Sequence, residues 1–221
     1  MKYIKKGREP SSLTHYRKKK EAYFDGYPEK DDLRKSLLQE QKYICCYCMS
    51  RIVRKEDVEN SDLGQVMKIE HREPKNQKPK KQLTYRNLLG ACNGKYGELQ
   101  YCDTHKSQYD DSRTLTINPT EIICEEKVKF YANGEIYSED KVVHNDLTEI
   151  LNLNCEYLIK RRKNTFDEWQ KKFIHQYPKG AWSKAILQQE LDNWENASLE
   201  EYRPYCQIVI AYLKDKIKKA G

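Results

Sequence analysis

The chain has 221 residues, 34% of them charged and 38% apolar, against a typical charged share of about 25%. At roughly 100–200 residues per domain this length suits one large domain, or a compact core with an appendage. No stretch approaches the ~18 apolar residues of a membrane span. The first twenty residues carry eight bases and no apolar block, which argues against a secretory signal peptide. The expected compartment is therefore the reducing cytoplasm, where eight cysteines read as metal ligands and buried thiols rather than disulfides.

The net charge of +7 sits unevenly. Residues 1–20 hold Lys2, Lys5, Lys6, Arg8, Arg17, Lys18, Lys19 and Lys20 against the single acid Glu9, while the rest of the chain balances at 33 bases and 33 acids. Residues 1–30 read as a basic, loop-rich arm that breaks at Gly26-Tyr27-Pro28. A second surplus runs from Lys68 to Arg86, with seven bases against Glu70 and Glu73. Two such patches suit a phosphate backbone, and they equally suit a solvated surface that keeps the protein soluble.

The next predicted element is a helix from Lys30 to Tyr43, on which Leu33, Leu37 and Leu38 recur at helical spacing. A hairpin is expected around Cys45–Val53, a strand through Val66–Glu70, a basic loop at 72–82 and a short helix near 103–110. Val128–Tyr137 reads as a β-hairpin turning on Asn133-Gly134, a pair that suits a type I′ turn. From Leu147 an amphipathic helical segment is expected to run on to Phe173. Helices follow at 181–194 and 198–219, with Asn196 and Ser198 as cap candidates. The fold class is α+β, a small metal-bound core with a helical C-terminal part. The organisation is 1–30 basic arm, 31–120 core and 121–221 hairpin plus helices.

Cys45 and Cys48 stand at the C-x-x-C spacing of half a thiolate zinc site, and Cys92 and Cys102 are candidates for the other half. Four thiolates would close a tetrahedral structural site in a region short of apolar core. The alternative is that these cysteines are buried small hydrophobes. Cys124, Cys155 and Cys206 lie in apolar surroundings and read as core. Between the cysteine pairs, Glu70 and His71 put an oxygen ligand beside a proton acceptor. A hard divalent cation such as Mg²⁺ needs one or two such carboxylates.

In the order in which they occur, Gln41-x-x-Ile44-Cys45-x-Tyr47-Cys48-Met49, Ile69-Glu70-His71-x-x-Pro74-Lys75, Asn87-Leu88-Leu89-x-Ala91-Cys92, Cys102-Asp103-x-x-Lys106, Ile117-Asn118-Pro119-Thr120 and Leu151-Asn152-Leu153-Asn154 resemble the HNH (ββα-metal) endonucleases. More narrowly they resemble the PtuB-like nucleases of retron-associated and Septu antiphage systems. The resemblance runs over nearly the full chain and implies a zinc-framed ββα-metal core. It implies His71 as the general base, Glu70 as a ligand of a catalytic Mg²⁺ or Mn²⁺, and Asn87 as the residue that positions the loop and, through it, the histidine. Asp103 fills the slot where many relatives carry His or Asn as second metal ligand, an exchange a carboxylate tolerates. His105 is the rival for that role. The ten residues from Cys92 to Tyr101 replace the short spacer of the simplest motif.

The implied activity is hydrolysis of nucleic-acid phosphodiester bonds in antiviral defence, on DNA or on an RNA such as tRNA. Lys75, Lys78, Lys80, Lys81, Arg86, Lys106 and the arm bases would contact phosphates. The implied partners are a PtuA-like ATPase of the SMC/ABC class and, in some systems, a retron reverse transcriptase with its DNA. Docking is expected on the C-terminal helices near Trp169, Phe173, Trp182, Trp194 and Tyr202, unless those aromatics form the chain's own core. A zinc-stabilised nucleic-acid-binding or adaptor module without chemistry is the competing class.

Overall fold

Leu33, Leu37 and Leu38 fall on one helical face and bury it completely, which is why the chain forms a helix at Lys30–Glu40. The computed structural model describes residues 1–60, 64–109, 114–178, 182–196 and 200–220, with side chains at 58–60 set aside. In chain order its elements are α1 (Ser11–Tyr16), α2 (Lys30–Glu40), β1 (Ile52–Val53), β2 (Gln65–Val66), β3 (Lys68–His71), β4 (Leu88–Ala91), β5 (Lys95–Tyr96), β6 (Leu99–Gln100) and α3 (Cys102–Lys106). They continue as α4 (Cys124–Lys127), β7 (Lys129–Phe130), β8 (Ile136–Tyr137), α5 (Lys141–Asn145), α6 (Glu156–Gln176), α7 (Lys184–Glu195) and α8 (Gln207–Lys219). The fold class is α+β, as expected. Residue 110 of the expected short helix, and Ser198 with the first residues of the last two expected helices, lie outside the described residues.

The strands pair two by two: β1 with β2 in parallel, and β3–β4, β5–β6 and β7–β8 antiparallel. The β3–β4 register sets Glu70 opposite Leu89 and His71 opposite Leu88. Sheets this narrow gain little from their ladders, and side chains clamp them instead. The buried Gln41 amide donates to the carbonyls of Ile44 (2.9 Å) and Gly90 (2.8 Å) and accepts from the Gly90 N–H (2.6 Å), fastening the end of α2 to β4. Asn154 holds both polar groups of Ile136, at 2.9 and 3.0 Å. Arg162, wholly buried, donates to the carbonyls of Gly134 (2.6 Å) and Leu153 (2.7 Å). Among the described residues no carboxylate meets this buried charge, and it is tolerated because those carbonyls satisfy it.

Four expectations need correction. The helix expected at 198–219 begins only at Gln207, because residues 200–206 form turns and irregular backbone. The basic arm does not leave all its bases for phosphate. Met1, Ile4 and Leu13 enter the main core cluster, Lys2 pairs with Glu125 (2.9 Å), Lys6 with Glu40, and Arg17 with Glu9 (2.7 Å). The helix expected from Leu147 to Phe173 is broken: a π-helical turn at Asp146–Ile150 precedes Asn152, which takes φ +47°, and α6 starts only at Glu156. Leu147, Leu151 and Leu153 are all fully buried, so a buried irregular loop mimicked the apolar stripe of a helix. The β7–β8 turn is not type I′, which needs positive φ at both central residues, because Asn133 stays on the ordinary side. Gly134 alone is left-handed, at φ +94°, and a Cβ there would lie 2.4 Å from the Ile159 carbonyl of α6.

The helices α6, α7 and α8 bury a second apolar cluster containing Phe166, Trp169, Phe173, Leu191, Trp194 and Leu213. Trp182 and Tyr202 pack against it. The aromatics expected to dock a partner are therefore this layer's own core. Among the described residues, no helix is long and apolar enough to cross a membrane.

Candidate functional site

The cysteine expectation starts from one loop. After α2, Lys42 and Tyr43 take left-handed backbone (φ +48° and +61°), and Ile44 bridges Arg51 around Cys45–Ser50. The Cys45 N–H donates to the Ser50 carbonyl (2.9 Å), and Met49, at φ +65°, returns its N–H to Cys45 (3.1 Å). That turn aims Cys45 and Cys48 at Cys92, just past β4, and at Cys102, the first residue of α3. All four thiols are buried, and their sulfurs lie within 4.8 Å of one another. Cys48 and Cys92 stand 3.7 Å apart, and Cys45 and Cys102 4.0 Å. A tetrahedron with metal–sulfur bonds of ~2.3 Å has an edge of ~3.8 Å, so the donor set fits a zinc-like ion. The N–H groups of Cys92 (3.3 Å, onto Cys45) and Ser50 (3.5 Å, onto Cys48) point at sulfur, as they do toward thiolates. Cys46 sits in the same turn without joining the cluster. Cys124, Cys155 and Cys206 are buried in the core, as read from the sequence.

Beside this cluster lies a cleft of about 250 Å³ lined by Phe24, Glu70, His71, Lys75, Asp103 and Lys106, among others. β3 delivers Glu70 and His71, and α3 delivers Asp103 and Lys106. Glu70 is buried and accepts on Oε1 from the Tyr47 hydroxyl (2.7 Å) and from the Lys106 ammonium. Burial works against its charge, yet Lys106, Asp103 and Tyr47 together hold its carboxyl below the usual range. Burial, and then Glu70 itself, push the Asp103 carboxyl up to about 8. Charge is thus favoured on Glu70 and disfavoured on Asp103. A pair of carboxyls is donor chemistry that a hard divalent cation takes.

His71 donates from Nε2 to the Gln82 carbonyl at 3.0 Å, because a carbonyl can only accept. Its Nδ1 therefore carries the lone pair. The Phe24 ring meets the imidazole edge-on, 4.4 Å between centroids at 85°. Burial lowers the imidazole pKa to about 4, so the ring is neutral at pH 7. Asn87 closes the intervening loop: its Oδ1 accepts from the Glu73 N–H (2.8 Å), and its Nδ2 donates to the carbonyls of Glu73 (3.0 Å) and Lys81 (3.3 Å). It does not line the cleft; it fixes the residue next to Gln82 and so acts on His71 through the backbone.

The other candidates divide. His105 turns its Nδ1 to the Ile150 carbonyl (3.1 Å) and does not line the cleft, so Asp103 alone stands beside Glu70. Lys106 is a buried partner of Glu70 rather than a surface phosphate contact. Lys75 lines the cleft but pairs with Asp25 (2.9 Å), and Lys81 pairs with Glu73 (2.6 Å). Lys78, Lys80 and Arg86 are exposed on the loop between β3 and β4. Three residues that hold the groups of the cleft were not singled out from sequence for the parts they take. Tyr47 had a signal, its place inside the cysteine turn. Phe24 and Gln82 had none, since only the folded chain brings them to the imidazole.

No family model matches this chain, and a search of the curated proteins finds no match.

Proposed function

We propose that the chain is a metal-dependent endonuclease of the HNH type that hydrolyses nucleic-acid phosphodiester bonds, as an effector of Septu- or retron-type antiphage defence alongside an SMC/ABC-class ATPase. The observation that carries this reading is one cleft lined by a neutral imidazole, whose Nε2 is held by a backbone carbonyl, and by two carboxyls, all on elements tied to the four-cysteine cluster. Glu70 and Asp103 would hold Mg²⁺ or Mn²⁺, which supplies charge neutralisation at a scissile phosphate. His71 would accept a proton from water at Nδ1. Its Nε2–H, already on the Gln82 carbonyl, would stabilise the imidazolium that forms. Phe24 and Asn87 hold the ring and its carbonyl partner in place. Lys78, Lys80 and Arg86 lie where a phosphate backbone could run.

The test is incubation with DNA and with total RNA, with and without Mg²⁺ or Mn²⁺ and the ATPase, against His71→Ala. A positioned base contributes about 10²–10⁴-fold, so the variant is expected to lose that factor while keeping its metal content and melting temperature. Cleavage at the parental rate would overturn the assignment. One observation favours the second reading, a nucleic-acid-binding or adaptor module without catalysis: Tyr47 and Lys106 already satisfy Glu70 within the fold. Mn²⁺ binding by the wild type, lost in Glu70→Gln, would decide for the enzyme.

A further inference from the structure

The β5–β6 hairpin fills the stretch between Cys92 and Cys102, and its outermost aromatic is Tyr96, 58% exposed. One face of that ring is already stacked on Tyr157 of α6, with centroids 4.2 Å apart at 18°. Tyr157 in turn lies over Tyr101, 5.8 Å away at 25°. The Arg161 guanidinium sits over the Tyr157 ring at 5.3 Å. From Arg161 a groove of about 530 Å³ continues along α6 past Asn164 and Lys172 to Arg203, whose guanidinium lies 4.5 Å over Trp194. Among the described residues, Arg161, Lys172 and Arg203 have no carboxylate within ion-pair distance. Of the acids lining the groove, Glu190 is taken by the indole N–H groups of Trp169 (2.9 Å) and Trp194 (2.8 Å), and Glu168 is exposed.

We propose that this face binds a single-stranded nucleic acid, with a base stacked on the outer side of Tyr96 and phosphates held by Arg161 and Arg203. The proposal rests on the nucleic-acid reading above and adds a second contact surface to the cleft. A ring backed by another ring is rigid, so little order is lost when a base covers its free face. A duplex keeps its bases stacked on one another and offers none to Tyr96, whereas an unpaired strand does. A guanidinium drawn to a ring face keeps N–H donors of its fork for phosphate oxygens, which arginine can bind in pairs.

The probe is a fluorescent 20-nucleotide oligothymidylate, titrated by anisotropy at several salt concentrations in a His71→Ala background that prevents cleavage. Tyr96→Phe keeps the stack and is expected to bind as the parent does. Tyr96→Ala is expected to weaken binding about 5- to 150-fold, the range for removing one base-stacking aromatic. Its melting temperature should hold, because the side chain is mostly exposed. Arg161→Gln with Arg203→Gln is expected to flatten the slope of log K against log salt by about 1.4, for two phosphates at roughly 0.7 each. Unchanged affinity in Tyr96→Ala, or binding of a hairpin duplex but not the oligothymidylate, overturns this surface and leaves the nuclease reading standing. Failure of the parent to bind either probe also overturns this surface, while the nuclease reading falls only if the cleavage assay fails on both DNA and RNA.

Discussion

In the helical layer, α6, α7 and α8 run for 21, 12 and 13 residues around Trp169, Phe173 and Trp194. Around the four cysteines no described strand exceeds four residues. The helical layer is held by area: large rings buried against one another, with an interaction that depends on size and barely on direction. The cysteine region is held by direction. Gln41 and Asn87 each satisfy two or more backbone groups at once. The cysteine region also joins the main apolar cluster, with Ile52, Leu88 and Leu89 buried in it, and these bonds add direction to that packing. The part that carries the cleft is the one whose geometry rests on specific bonds and, on our reading, on a bound ion.

Stripping the ion is the hardest test of that contrast. Zinc held by four thiolates contributes about 10–16 kcal/mol of apparent folding energy in small isolated modules. A chelator that outcompetes the site, or Cys48→Ala, is expected to lower the melting temperature more than any other single change proposed here. One zinc per chain should be lost by elemental analysis. An unaltered melting curve after complete removal would show that the cysteine region stands without metal, and the contrast would fail.

The same contrast predicts the opposite pattern for Trp169→Ala. Deleting a buried indole costs about 3–5 kcal/mol, and this one also releases the Glu190 carboxylate it shares with Trp194. The variant is expected to lose that much in urea unfolding while keeping its full complement of metal, because the cysteine cluster lies in the other layer. Ile44 and Met49, which belong to the cysteine turn yet pack into the helical cluster, are the route by which this could fail: loss of metal in the variant would mean that the two layers fold as one.

What could be read from the sequence divides along the same line. Helical periodicity marked α2, α7 and the body of α8, though α8 starts at Gln207 and not at 198, and the C-x-x-C spacing with two later cysteines marked the sulfur cluster, because each is a local pattern or a chemical type with few other uses. The adjacent pair Glu70-His71 and the following Asp103 were legible as chemistry. Directional bonds were not: nothing local announces that Gln82 offers its carbonyl to His71, that Lys106 folds back on Glu70, or that Lys2 and Arg17 spend their charge within the fold. The break at Asn152 was missed because three fully buried leucines, Leu147, Leu151 and Leu153, fit a helix as well as they fit the loop that Arg162 and Asn154 hold.

The smallest expected effect lies where the two regions meet. Glu125 of α4 accepts from Lys2 (2.9 Å) and from the Tyr3 N–H (3.0 Å) and faces Lys214 of α8 (3.7 Å), while Glu195 of α7 lies 2.7 Å from Lys214. Burial opposes the charge on Glu125, but Lys2 and the Tyr3 N–H outweigh it and hold the carboxyl below its ordinary value of 4.5. A group whose pKa falls on folding gives stability that is present above its unfolded pKa and lost as pH drops through its folded one. Glu125→Gln is therefore expected to cost about 1.5–3 kcal/mol at pH 7, as for a hydrogen bond to a charged group. Below about pH 4.5 the gap between variant and parent should narrow steadily. Thermal unfolding of both proteins from pH 7 to pH 3 measures it. A gap that stayed constant across that range would assign the loss to packing rather than charge, and the junction would then be held by area, like the helical layer.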